Sequence, residues 1–258
     1  MDQLISPIGM EPLVELTKQC CFCARQYHVL GIQPGHFVVT LDAGNGRTTA
    51  AAYLADAFAA AGVCRFSGQD PVLEYRLDGS SEQLCRTLRS IRASAVYTNR
   101  FEGVIALDIT ALAPHTGEEP VRLFLRELAD IARHAVLVFF LPQAPSRSQL
   151  ALMEKVSAAL GPEQMHWVRI PPYSAQTLAA ITRRTLTARL NIRLEDGPQA
   201  EEALQKLVRQ TGITSARQAV QMAGILARRA DFSEFIPVLS AQQLTMQQPK
   251  RPASKTEV

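Results

Sequence analysis

The sequence predicts an α/β protein: a parallel sheet sandwiched by helices, followed by a small helical bundle. Two observations carry this expectation. Short apolar, β-branched segments alternate with amphipathic ones from residue 36 to 170, as a parallel sheet covered on both faces requires. After Pro171-Pro172 the strand pattern stops and only helical periodicity continues, so a second, smaller domain begins at a proline boundary.

Residues 11 to 30 read as a helix, because Leu13, Leu16, Cys20, Cys23, Ala24 and Tyr27 recur at helical spacing. Gly31 follows as its C-terminal glycine. His36-Phe-Val-Val-Thr40 is a first strand, and the turn Asp42-Ala-Gly-Asn-Gly46 leads into an Ala-rich helix over 47–61 ended by Gly62. A second strand at 72–76 precedes a helix at 80–92, with Ser80 or Ser81 as N-cap. The third strand, 104–108, is apolar until Asp108. Residues 118–133 place Val121, Phe124, Leu125, Leu128 and Ile131 on one helical stripe. The fourth strand, 135–141, is apolar throughout, as a central parallel strand should be. A helix at 147–160 and a strand at 166–170 complete the alternation.

Behind the prolines the sequence predicts helices at 174–190, 198–208 and 215–229, and a short fourth at 233–239, with no further strand. From Ala241 the chain is rich in Gln, Lys, Pro and Ser and poor in apolar residues, which reads as a disordered tail. The expected organisation is an N-terminal helical segment at 1–35, an α/β domain at 36–170, a helical domain at 171–240 and the tail at 241–258.

The 258 residues are 47% hydrophobic, enough for a sizeable core without covalent staples. The apolar run 135–141 is far short of the ~20 residues that a membrane span needs, and no basic, apolar leader opens the chain. A soluble cytoplasmic protein without membrane partners is the expectation. Net charge is only +3, which does not announce a nucleic-acid binder. The 27 basic residues are 22 Arg and 5 Lys. Arg86, Arg89 and Arg92 recur every third residue, and Arg183, Arg184, Arg189 and Arg193 crowd one helix. Either set could face solvent, a protein partner or phosphates. Five cysteines (Cys20, Cys21, Cys23, Cys64 and Cys85) are too few and too irregular for a disulfide framework. Cys20, Cys21 and Cys23 diverge around a helix, so reduced thiols are expected rather than a metal site.

The strongest local signal is strand, Gly-rich turn, helix at 36–61. Such a turn aims backbone N–H groups and a helix N-terminus at one place, a natural anion site. The phosphate-loop form G-x-x-x-x-G-K-[ST] falls on Leu41-Asp-Ala-Gly-Asn-Gly-Arg47-Thr48. Gly46 and Thr48 match; Leu41 replaces the first Gly and Arg47 the Lys. Arg keeps the positive charge but brings a bulkier, planar head. Thr48 keeps the hydroxyl that would meet Mg²⁺. Asp108, an acid ending an apolar strand about 60 residues later, sits where such folds hold Mg²⁺. A competing reading is the dinucleotide fingerprint G-x-G-x-x-G; there Gly44-Asn-Gly46 supplies two glycines and Glu74 the ribose-binding acid, but Thr49 stands at the third glycine.

Taken in order, these features resemble the AAA+ ATPase module, and more narrowly the group of stage V sporulation protein K and the red-type rubisco activases. Ile8-Gly9-Met10 is similar to the group's opening glycine motif. Residues 36–49 line up on its phosphate loop, and Gly103-Val-Ile-Ala-Leu-Asp108 on its Walker B strand. Arg169 to Leu178 resembles the junction into the helical lid, and Thr214-Ser-Ala-Arg217 falls where the lid carries its sensor-2 arginine. The resemblance implies a P-loop NTPase-like fold with a lid, ATP or ADP with Mg²⁺, and a nucleotide site of Gly44, Asn45, Gly46, Arg47, Thr48, Thr49, Asp108 and Arg217. Thr48 and Asp108 would hold the metal.

Four departures cut against the motor. The family's catalytic Glu after the Mg²⁺ Asp is Ile109 here, a loss worth about 10²–10⁴-fold. Val138-Phe-Phe-Leu141 offers no polar sensor-1 residue, and Gly161 to His166 holds no arginine finger, though Arg169 lies close behind. Asp78-Gly-Ser-Ser-Glu82 has no substrate-gripping aromatic. No catalytic residue is therefore assigned. The expectation is a degenerate AAA+ module, a weak nucleotide-binding or structural subunit that works with other protein subunits, another AAA+ ATPase among them. A slow ATPase and a nucleic-acid-associated subunit of clamp-loader type remain as alternatives.

Overall fold

The computed structural model describes residues 5–26, 34–63, 72–77, 81–95, 103–233 and 236–245. The expectations for Tyr27, Gly31, Cys64, Ser80, the residues 78–80 and the chain after 245 lie outside these residues. The chain forms two compact units, Met1–Pro172 and Tyr173–Val258.

In the first unit, α1 (Glu11–Gln26) precedes β1 (His36–Thr40), α2 (Arg47–Ala60), β2 (Val72–Arg76), α3 (Ser81–Ala95) and β3 (Gly103–Asp108). Then follow α4 (Glu119–Ala132), β4 (Ala135–Leu141), α5 (Arg147–Leu160) and β5 (Met165–Arg169). The five strands are all parallel, in the order β2-β3-β4-β1-β5. β1 and β4 are buried at every position and β3 at all but Asp108, because helices cover both faces and leave no solvent side to pattern. Alternate residues of β1 face opposite layers. Val38 joins Leu137 and Phe139 in a cluster with Phe124 of α4 and Val156 of α5. Phe37 turns the other way and meets Phe58 of α2, ring centroids 5.9 Å apart. The stripe expected on α4 is the one buried: Val121, Phe124, Leu128 and Ile131 lie in the cluster, with Leu125 packed against it.

The strand order decides between the two loop readings. In a dinucleotide fold the second strand lies beside the first, which brings its terminal acid to the ribose. Here β3 and β4 separate β2 from β1, so Glu74 is not placed for that role and the dinucleotide reading is corrected.

The second unit contains α6 (Ala175–Leu190), α7 (Pro198–Thr211) and α8 (Ala216–Ala227) around their own core of Leu178, Leu186, Leu204, Val208, Ala223 and Leu226. Four expectations are corrected here. Strands do return, as β6 (Arg193–Leu194) pairs in parallel with β7 (Val238–Leu239). β7 occupies part of the stretch expected to be a short helix, and Arg193 lies beyond the end of α6. The chain also stays ordered past 241, as α9 (Ala241–Thr245), because Leu244 is fully buried in the same core.

Capping fixes where α8 begins. The Ser215 hydroxyl accepts from the Gln218 N–H while the Gln218 side chain accepts from the Ser215 N–H, a reciprocal capping box. Ser215→Ala is expected to cost about 1 kcal/mol, measured as a lower urea midpoint with an unchanged slope.

Candidate functional site

The residues expected to form a phosphate loop sit where β1 gives way to α2. Gly44 and Gly46 take φ of 84° and 89°, left-handed values that strain any other residue. A Cβ on Gly46 would stand 3.0 Å from Met10 Cε. The Gly9-Met10 segment thus packs on the loop, with Met10 itself buried. The Asn45 N–H donates to Asp42 O at 3.1 Å, closing the turn.

Gly46 is the N-cap of α2, which has neither a side-chain cap nor an acid in its first turn. The helix N-terminus therefore has no anionic side chain of its own to meet its partial positive charge, although Glu74 of β2 approaches it at Thr48. A phosphate suits such an end. Thr48 and Thr49 are exposed on the first turn of α2.

Arg47 reaches Asp108, 61 residues away in sequence, at 2.6 Å (Nη1 to Oδ2). Since β4 lies between β1 and β3, the guanidinium passes over it, with its Cζ 5.9 Å from the centroid of Phe140. The Arg47 Nε is buried and has no hydrogen-bond partner. Asp108 also accepts the Thr110 N–H at 3.1 Å. Burial alone would raise the Asp108 carboxyl, but the Thr110 hydrogen bonds and the Arg47 charge outweigh it and hold the group below its ordinary value. Thr48 donates its hydroxyl to Glu74 Oε2 at 3.2 Å.

The expected site residues of the first unit thus converge in part. Gly44, Asn45, Gly46, Arg47, Thr48 and Thr49 form one continuous loop and turn, and Asp108 joins them through Arg47. Arg217 is exposed on the first turn of α8 in the second unit. The residues fit a Mg²⁺–nucleotide in kind: a left-handed glycine turn, an uncapped helix end, a cation with an orphaned N–H, and a hydroxyl and carboxylate for the metal. The two metal-side groups are, however, already engaged, Thr48 by Glu74 and Asp108 by Arg47.

Ile109 is 1% exposed and packs in the cluster with Leu107, Leu112 and Leu141, so no acid faces the site from that position. Leu141, at the end of β4, is likewise fully buried. Two residues on, Gln143 does what sequence reading missed. It donates to the Ile170 carbonyl and accepts from Arg169 Nε at 2.9 Å. As β1 lies between β4 and β5, Gln143 spans the end of β1 where the loop departs. The only signal for it was a polar residue soon after an apolar strand. Arg169 is held by this contact.

Elsewhere, burial pushes the Cys20 thiol up to about 12 and the Cys21 thiol up to about 11, which leaves both protonated near neutrality. Among the described residues no three His, Cys, Asp or Glu side chains are grouped to hold a metal. No described helix is long and apolar enough to cross a membrane.

No family model and no curated protein sequence matches the chain. Solved structures do. The Thermotoga maritima RuvB Holliday junction branch migration motor superposes with a TM-score of 0.56 at 15% identity over 86% of this chain. A mutant of that protein gives 0.59 at 15% over 92%. Caenorhabditis elegans PCH-2 gives 0.53 at 10% identity, covering 93% of this chain and 66% of its own. The chain spans 63% of the length of the branch migration motor and 68% of the mutant's. The fold common to them is the AAA+ type of P-loop NTPase, a five-stranded parallel sheet flanked by helices.

Proposed function

We propose that this chain is a degenerate AAA+ module that binds a nucleotide weakly and acts as a subunit of a larger assembly, with little or no hydrolysis of its own. On this reading it is of the kind found in the group of stage V sporulation protein K and the red-type rubisco activases, which its motifs resemble in order and spacing. The observation that carries it is the Arg47–Asp108 pair at 2.6 Å beside a buried Ile109. The loop keeps groups that take phosphate and metal, and the position that should polarise the attacking water is packed into the core.

Gly46, the N–H groups of the first α2 turn and Arg47 hold the phosphates on this reading. Thr48 and Asp108 hold the cation. Mg²⁺, when bound, supplies charge neutralisation at the phosphates. Partner subunits, another AAA+ ATPase among them, supply the groups that this chain lacks. An arginine finger, for example, is worth about 10³–10⁵ in rate.

Calorimetry and thermal melting of the purified chain with MgADP test this. Arg47→Ala is expected to abolish the MgADP-induced rise in melting temperature, and an unchanged rise would place the nucleotide elsewhere. ATP turnover by the isolated chain is expected at background. Turnover of about 1 s⁻¹ that vanished in Asp108→Ala would instead support a slow ATPase. One observation favours that second reading: the Glu74 carboxylate, 3.2 Å from the Thr48 hydroxyl, is an acid on a neighbouring strand. A nucleic-acid role gains less. Arg86 is paired with Glu82, and Arg183 with Glu201, so part of each basic face is neutralised within the chain.

A further inference from the structure

We propose that Cys20 and Cys23 are a reversible dithiol, which a low-molecular-weight disulfide of the glutathione type oxidises to an intrahelical Cys20–Cys23 bridge. The pair lies at the end of the sheet where β1 begins, away from the loop, and is independent of the nucleotide reading.

The three cysteines of α1 do not all diverge. Cys21 turns toward α2, with its Sγ 3.7 Å from the Ala57 carbonyl oxygen. Cys20 and Cys23 stand one turn apart and share a different face. Leu16, Gln19, Cys20 and Cys23, spaced i, i+3, i+4 and i+7, all line one cavity of about 840 Å³, together with Ala132 of α4 and Leu160 of α5. Cys23 is exposed, whereas Cys20 is 7% exposed. A reagent therefore meets Cys23 first, and Cys20 waits beside it as the resolving thiol. Among the described residues no third metal-ligating side chain joins the pair, so thiol–disulfide exchange is the chemistry left to it.

Helical geometry makes the bridge reachable and easily undone. Residues three apart on a helix hold their Cβ atoms about 5–6 Å apart, and a disulfide needs about 3.5–4.5 Å. Cys23 lies in the last turn of α1, whose final carbonyls have no helical N–H to hold them. That turn can yield the difference. The bridge so formed is strained, and strained bridges are the readily reduced ones. In a reducing compartment such a pair rests as thiols and closes only transiently.

The exchange runs in two steps. The Cys23 thiolate attacks one sulfur of the small disulfide, whose S–S bond breaks and releases one small thiol, leaving a mixed disulfide on Cys23. Cys20 then gives up its proton to solvent and attacks the Cys23 sulfur, releasing the second small thiol. The two cysteines together lose two electrons and two protons, and the small disulfide takes up both pairs as two thiols. Burial first, then thiolate charge at Cys21 and Cys23, pushes the Cys20 thiol up to about 12, so closure is the slower step.

The test is overnight incubation of the full, folded chain with glutathione disulfide at mildly alkaline pH, then acid quench, alkylation in urea, trypsin and mass spectrometry. Trypsin releases residues 19–25, which carry Cys20, Cys21 and Cys23 and no other cysteine. In the natural protein this peptide should lose two of its three alkylatable thiols, with fragmentation placing the bridge between Cys20 and Cys23 and the alkyl group on Cys21. Excess reduced glutathione should restore all three. Cys20→Ser should stop at a glutathione mixed disulfide on Cys23. Cys23→Ser should leave Cys20 and Cys21 fully alkylatable, since both are buried. Circular dichroism checks the fold of each variant. A mixed disulfide on Cys23 as the end product in the natural protein overturns the proposal, as do a bridge to Cys21, a bridge that excess reduced glutathione leaves intact, and a peptide that keeps all three thiols.

Discussion

Ile109→Glu, which would restore an acid beside Asp108, is expected to destabilise the protein by about 3–5 kcal/mol and to yield no turnover. Ile109 is 1% exposed, at the point where β3 passes into the 3-10 turn Thr110–His115. It packs among Leu77, Leu107, Leu112 and Leu141. A carboxylate there would lose that packing and would have to stay uncompensated in the core or take up a proton, either of which costs several kcal/mol. Urea denaturation followed by circular dichroism measures the loss, and a phosphate-release assay measures the turnover. A variant of natural stability that hydrolysed ATP would mean that the side chain at 109 reaches the loop, and that only the residue type is missing. The same substitution therefore separates a site silenced by one residue from a site whose local packing has been rebuilt around an apolar residue.

Stability is also expected to fall by up to ~3 kcal/mol as pH drops from about 6.5 to 4, through His36. This imidazole opens β1, is 3% exposed, and accepts the Leu137 N–H at Nδ1 over 3.2 Å. Burial first, and the neighbouring His166 second, lower its pKa to about 4 from 6.5. The folded protein therefore holds the ring neutral in a range where the unfolded chain protonates it. The contribution is fully present above pH 6.5 and is lost as pH falls toward the folded value. Each pH unit in that window is worth about 1.4 kcal/mol, which sets the upper figure. Urea unfolding at several pH values checks it, with His36→Asn keeping an acceptor for the Leu137 N–H while removing the titration. The variant should lose much less stability across the window; identical losses would assign the pH dependence to other groups.

Much of the α/β unit was legible in the sequence, because its signals are local and long enough to repeat. The stripe on α4 and the unbroken apolar run of β4 each state their burial without reference to any other segment. The helix 147–160 was readable to its ends, since Ser146 and Gln149 form a capping box at its start and Gly161 follows its last turn. Shorter signals failed. β6 and β7 are two residues each, below any window in which alternation can register, and their pairing joins positions over forty residues apart. Leu244 lies in a short Gln-rich stretch with no helical stripe to announce it, and its burial depends on a core contributed by α6, α7 and α8.

The candidate site divides along the same line. The order strand, glycine turn, helix and the acid ending β3 are sequence facts, and they suffice to mark a phosphate-loop pattern with its lysine replaced. What those residues touch is not contained in the pattern. That Arg47 meets Asp108 follows from a strand order that places only β4 between them, and from an arginine long enough to cross Phe140. That Gln143 ties β4 to β5 over the end of β1 depends on the same order. By itself the sequence determined the α/β class, the change to a helical unit after Pro171-Pro172, and which side chains could carry charge or hydroxyls to the loop. Only the tertiary structure decided that those charges neutralise one another, because ion pairing depends on distance in space, and periodicity reports only which face of its own element a residue occupies.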